Sequence, residues 1–158
     1  KNDVIVKEKN VFDIVVNRNN QILVENDQYV QVTDIKRLAV AFIDNGGGLS
    51  AAKDGNPGVP CDYCEGAKSP ISSDHPSKAI ISLQSDRGTT YGMYISIQNE
   101  IEGAYTELRN RLGMSKYRRS YDDLLKDYKD NPSESINEKI EFLKEAYPQI
   151  ISEPEPIK

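Results

Sequence analysis

Polar and apolar residues alternate from Val11 to Asn17, placing Phe12, Ile14 and Val16 on one side. They alternate again from Gln21 to Asn26, placing Ile22 and Val24 inward. A period of two marks a strand with one buried face. Arg18-Asn19-Asn20 separates the two runs, and Asn tolerates the positive φ of a tight turn, so the pair predicts a β-hairpin. Asn26-Asp27-Gln28 then turns the chain into a short apolar stretch, Tyr29 to Val32. Lys78 to Gln84 is short, β-branched and closed by the polar turn Ser85-Asp86-Arg87-Gly88, which predicts a buried strand.

Elsewhere the period lengthens to that of a helix. Thr33 is the expected N-cap of a first helix, with Asp34 in its first turn, Ile35, Leu38, Ala39, Phe42 and Ile43 buried, and Asn45 and Gly46 at its end. Thr89 or Thr90 caps a second helix from Tyr91, on which Tyr94, Ile97, Ile101, Ala104, Leu108 and Leu112 share a face up to a break at Gly113. Tyr117, Tyr121, Leu124, Leu125 and Tyr128 mark a third helix. Asn131 as cap, with Pro132 and Glu134 in the first turn, opens a fourth carrying Ile136, Ile140, Leu143 and Tyr147. Pro148 stops it, and Gln149 to Ser152 predicts a closing strand. The expected fold is an α+β two-layer domain: a small mixed sheet of four to five strands packed by helices on one face, with extra C-terminal helices.

Between the first helix and the central strand the periodicity disappears. Residues 46–77 hold six of the ten Gly, four of the eight Pro and both cysteines, and read as a surface excursion. The 158 residues are one domain's worth of chain. A net charge of -5 argues against a nucleic-acid partner. The longest apolar run, Leu38 to Ile43, is six residues, far short of the roughly 20 that span a bilayer. No stretch reads as a signal peptide, and a chain opening at Lys1 reads as a fragment or mature form whose address lay upstream.

Candidate chemistry is sparse. Cys61-Asp62-Tyr63-Cys64 lacks the strand-to-helix context of a thioredoxin-like pair. A short-loop disulfide in an oxidising compartment is the favoured reading. A zinc site completed across two protomers, or neither role, stays open. His75, the only histidine, reads as a solvated loop residue, and Gly46-Gly47-Gly48, without the Lys-Ser/Thr of a phosphate loop, as slack. The basic residues Arg109, Arg111, Lys116, Arg118 and Arg119 read as a solvated face, with Arg118–Asp122 and Arg119–Asp123 pairing four apart. Asp86 and Arg87 read as an ion pair near a capped helix or as fixing a docking surface, and no catalytic set, cofactor site or metal site is expected.

The order hairpin, helix, strand, helix, final strand, together with Ala79 to Tyr91 (AIISLQSDRGTTY), resembles the periplasmic domain of the ExbD/TolR biopolymer-transport family. In that family a strand ending in an Asp-Lys/Arg turn leads through a Tyr into an apolar helix. Asp86, Arg87 and Tyr91 match that pattern, and the hairpin Phe12 to Asn26 is similar to the family's first two strands. The Cys-bearing loop and the added helices of 115–148 depart from compact members and resemble a larger subgroup, as does the ending EAYPQIISEPEP. The resemblance implies residues 1–10 as a tether from an upstream membrane anchor, 11–153 as the domain and 154–158 as a tail. It implies a non-enzymatic subunit held in the inner membrane by one helix, working with an ExbB-like proton channel and a TonB-like protein. The family's proton-carrying Asp lies in that membrane helix, so no residue here is assigned its role.

An open sheet leaves an edge to which an extended peptide can add. The region Leu23 to Val32 is the expected edge, with Leu23, Val24, Glu25, Asn26, Asp27 and Tyr29 as partner-binding candidates, and a two-fold homodimer through the same edge is equally allowed. Two alternatives compete: a TolR-like peptidoglycan binder using the basic cluster, and a small thiol-disulfide protein built on Cys61 and Cys64.

Overall fold

The computed structural model describes residues 8–157. Val4-Ile5-Val6, which the sequence offers as part of a tether or as an added edge strand, lie outside them. The strands are β1 (Val11–Val16), β2 (Ile22–Val24), β3 (Gln28–Val30), β4 (Ile80–Ser85) and β5 (Ile151–Ser152). The helices are α1 (Ile35–Ile43), α2 (Tyr91–Tyr117), α3 (Tyr121–Asp130) and α4 (Glu134–Ala146). The strands form one mixed sheet in the order β3-β2-β1-β4-β5. β1 pairs antiparallel with β2 and parallel with β4, β2 pairs antiparallel with β3, and β5 lies parallel to β4.

Alternation decides the faces. Phe12, Ile14, Val16, Ile22, Val24, Ile81 and Leu83 are buried in one core with Ile35, Ala39 and Ile43 of α1 and Ile97, Ile101, Ala104, Tyr105 and Leu108 of α2. Each buried Val, Leu, Ile or Phe among them stabilises the fold by about 1.5–3 kcal/mol over an exposed one. The other face carries half-buried Val11, Asp13, Val15, Leu23, Ile80 and Ser82. A satellite core of Tyr121, Leu124, Ile140 and Leu143 joins α3 and α4 to the end of α2. The domain is thus the expected α+β assembly with C-terminal helices.

Several local expectations are corrected. Thr33 does not cap α1: it sits inside a 3₁₀ turn, Val32–Asp34, where the Asp34 carboxylate accepts from the Gln31 N–H at 3.0 Å. Gly113 does not break α2, which continues to Tyr117 and ends on Arg118 in the left-handed conformation, φ 58°. Gly113 instead permits close approach, since a Cβ there would lie 2.5 Å from the Arg119 carbonyl oxygen. Tyr117 therefore belongs to α2, and Ser120 caps α3 by accepting from Asp123 N at 3.0 Å. Asn131 closes α3 rather than opening α4, whose cap is Ser133, accepting from Ile136 N at 3.2 Å. Arg118 and Arg119 precede α3, so the two four-apart pairs do not form, and Arg119 reaches Asp127 at 2.9 Å.

Candidate interaction surfaces

Among the described residues β3 is an outer strand, paired only with β2, and Tyr29 at its centre is 66% exposed on the open face of the sheet beside Leu23. β2 lies between β1 and β3, so Leu23 and Val24 are not at the edge, and Val24 is buried in the core. Glu25 and Asn26, at φ 56° and 63°, and Asp27 form the β2–β3 turn. The Glu25 carboxyl is pushed up to about 7 by partial desolvation and by the charges of Asp13, Asp27 and Glu8. Of the six candidates, then, one sits on the edge strand and three sit in the turn beside it. A cleft of about 250 Å³ opens at the end of this edge between Tyr29, Val30, Gln31, Asn20, Gln21 and Met93.

The Asp86–Arg87 turn is built differently from the expected ion pair. Asp86 Oδ1 accepts from Gly88 N at 2.8 Å and faces Arg18 Nε at 3.8 Å, a pairing with the hairpin turn and not with Arg87. The two turns are tied further, because Thr89 Oγ1 donates to Asn17 O at 3.1 Å and Asn20 Oδ1 accepts from Thr90 N at 3.1 Å. Thr90 caps α2 through Met93 N at 3.2 Å. Tyr91 follows, 78% exposed. Asp86, Arg87 and Tyr91 converge on one groove of about 640 Å³, which Leu83, Tyr94, Pro154 and Pro156 also line.

The excursion of 46–77 is a docked loop rather than slack chain. Cys61 and Cys64 are bonded to each other and both are buried. Among the described residues no helix lies between α1 and β4, so neither sulfur has the helix N-terminus a redox pair needs. No group of three or more His, Cys, Asp and Glu among them is placed to hold a metal ion. Gly46 takes φ 65° against the disulfide, and a Cβ on Gly47 would collide with the Ser69 carbonyl oxygen. Asn45 Nδ2 donates to Ser69 O at 2.9 Å and Ser73 O at 2.7 Å, while its Oδ1 accepts from Ser69 N at 3.0 Å.

Two buried carboxylates anchor this loop to the body. Asp44 accepts from Tyr147 Oη at 2.7 Å, from Arg111 Nη2 at 2.9 Å and from Glu65 N at 3.0 Å. Asp74 accepts from Lys9 Nζ at 2.7 Å and Asn10 Nδ2 at 3.2 Å, with Lys78 Nζ at 3.6 Å. Burial pushes the Asp74 carboxyl up, but the bonds from Lys9 and Asn10 and the charges of Lys9 and Lys78 outweigh it and hold the group below its usual range. Lys9 and Asn10, assigned above to the tether, thus belong to the body. His75 is buried and not solvated: its Nδ1 accepts from Ser77 N at 3.0 Å and its ring meets the edge of Tyr63. Burial, and then the Lys78 charge, lowers its pKa below the ordinary 6.5, favouring the neutral imidazole.

The basic cluster disperses. Arg109 is buried, donating from Nε and Nη2 to Tyr147 O at 3.1 and 2.8 Å and from Nη1 to Tyr121 Oη at 3.3 Å. Arg111 is held by Asp44 and by Glu65 at 3.2 Å, and Lys116 lies over the Phe142 ring at 4.7 Å. Arg109 follows Leu108 directly, on the flank of the apolar stripe, and that position is the signal that could have marked it as internal. Among the described residues no helix is long and apolar enough to cross a membrane. Comparison with protein-family models, with curated proteins and with solved structures found no match to this chain.

Proposed function

We propose that the chain is the periplasmic interaction domain of an ExbD-like subunit in a proton-driven energy transducer. It acts without catalysis, partnering an ExbB-like proton channel and a TonB-like protein while anchored in the inner membrane by a helix upstream. The observation that carries this reading is the open edge of β3. Its outer backbone groups, without a strand partner among the described residues, and exposed Tyr29 suit an extended partner segment added as a further strand. The turn from β4 into α2 through Asp86, Arg87 and Tyr91 supports the same family, and a buried disulfide suits the oxidising periplasm.

The same edge suits a two-fold homodimer. The peptidoglycan-binding alternative loses support because Arg109 is buried against Tyr147 and Arg111 is already paired with Asp44 and Glu65. The thiol-disulfide alternative loses it because both sulfurs are buried away from any helix start. Titrating a TonB-like linker peptide into the isotopically labelled domain tests the reading. Amide shifts at Gln28, Tyr29 and Val30 are expected, and shifts confined elsewhere refute it.

A further inference from the structure

The sheet's other side ends differently. Ile151 and Ser152 register with Ile81 and Ser82, and Ile81 N donates to Ile150 O at 2.9 Å. The chain then arches away and returns at Ile157, which bridges to Asp86. Ile157 N donates to Ser85 O at 2.9 Å, and its carbonyl accepts from Arg87 N at 3.2 Å. From Ser152 to Ile157 the segment takes one residue more than β4 takes from Ser82 to Asp86, so it bulges. Pro154 and Pro156 account for the arch, having no N–H to give β4. Across it the contacts are side-chain ones: Gln84 Nε2 to Glu155 O at 2.9 Å, and Gln98 Nε2 to Glu153 Oε1 at 3.1 Å. The groove of about 640 Å³ lies here, walled by Leu83, Tyr91, Tyr94 and the two prolines.

We propose that residues 153–157 are a displaceable strap over a second docking edge. The partner this edge fits is an extended peptide running parallel to β4, with an N–H at both positions where the strap has proline. In a parallel ladder alternate residues direct both backbone groups to the same side. Ile81 points its N–H at Ile150, Ser85 and Arg87 bond Ile157 of the strap, and Leu83 shares their direction, facing a stretch whose prolines cannot donate. A strand with both N–H groups completes that ladder. Its side chains registered with Leu83 and Ser85 project to the same face as those residues, into the groove beside Tyr91 and Tyr94. The resident strap is therefore a deliberately poor strand, keeping the edge from unselective pairing while a better one can replace it. This inference does not rest on the transport reading, because β3 and β5 lie on opposite sides of the sheet and their amides report separately.

Two peptides test it, one with the sequence of β5 and the strap, IISEPEPIK (residues 150–158), and one differing only at the prolines, IISEVEVIK. Titrated into the labelled chain, the second is expected to shift the amides of Leu83, Ser85, Arg87 and Ile157 and to bind about tenfold tighter than the first, as one or two added hydrogen bonds imply. Placing both N–H groups in the resident strap, with Pro154→Val and Pro156→Val together, should weaken binding of IISEVEVIK by about tenfold, and Gln84→Ala, which loosens the strap, should tighten it. Equal binding of the two peptides, no binding, or shifts confined to Gln28–Val30 overturns the proposal. So does movement of the β4 amides with protein concentration alone, which assigns the edge to a second copy of the chain.

Discussion

The two-layer body and the excursion of 46–77 are equally well buried at their centres but by opposite means. The body is closed by apolar side chains at strand and helix periods, Ile14 and Leu83 against Ile101 and Leu108. The excursion is closed by polar groups, Asn45, Ser73, Asp74 and His75, each buried and each hydrogen-bonded. Trimming an apolar side chain in the body forfeits its burial and leaves a cavity. Removing a polar side chain in the excursion instead strands its hydrogen-bond partner out of water, so the loss there depends on which partner is left unpaired.

The comparison breaks most visibly at Asp74. Asp74→Ala removes the acceptor of Lys9, Asn10 and Lys78 at once, and Lys9 and Lys78 remain partly solvated. A loss of about 3 kcal/mol is expected in denaturant unfolding, toward the low end for a broken buried ion pair. Replacing both cysteines by Ser should cost about 2 kcal/mol, since closing so short a loop removes little chain entropy. Hydrogen exchange should then quicken in 46–77 while the amides of β1 and β4 keep their protection; equal loss in both regions would mean that the staple serves the whole domain. Tyr147→Phe keeps the ring but removes the donor to Asp44 and the acceptor for Arg111, at about 1.5 kcal/mol by the same measurement.

The same contrast explains what was legible in the sequence. Phe12, Ile14 and Val16, or Ile97, Ile101 and Leu108, announce themselves because burial follows a local period. Asp74 answers Asn10 sixty-four positions earlier, and Tyr147 answers Asp44 across one hundred and three, so no window of the sequence contains the pair. Arg109 and Arg111 looked like a solvated basic face for that reason, as their partners Tyr147, Asp44 and Glu65 come from three other segments. The missed helix caps are of another kind. Asn131 and Ser133 are both good caps, and which one is used depends on where α3 stops, since Asn131 donates back to Asp127 O at 2.7 Å.

The smallest expected effect is a balance between the two regions in mild acid. His75, in the excursion, has a pKa below its ordinary 6.5. As pH falls the unfolded chain takes that proton first, so this group removes stability from about 6.5 down to its folded value. Glu25, in the hairpin turn of the body, is raised from 4.5 to about 7. There the folded chain takes the proton first, so stability rises as pH drops from about 7 to 4.5. The two slopes oppose each other over a shared window, while Asp74, lowered from 3.8, acts only below it. In thermal melts of the wild type between pH 7.5 and 5 these two groups therefore pull in opposite directions. His75→Asn should make the protein gain stability on acidification, and Glu25→Gln should make it lose stability. Tilts of the same sign in the two variants would show that the polar interior of the excursion and the acidic turn of the body do not titrate against each other.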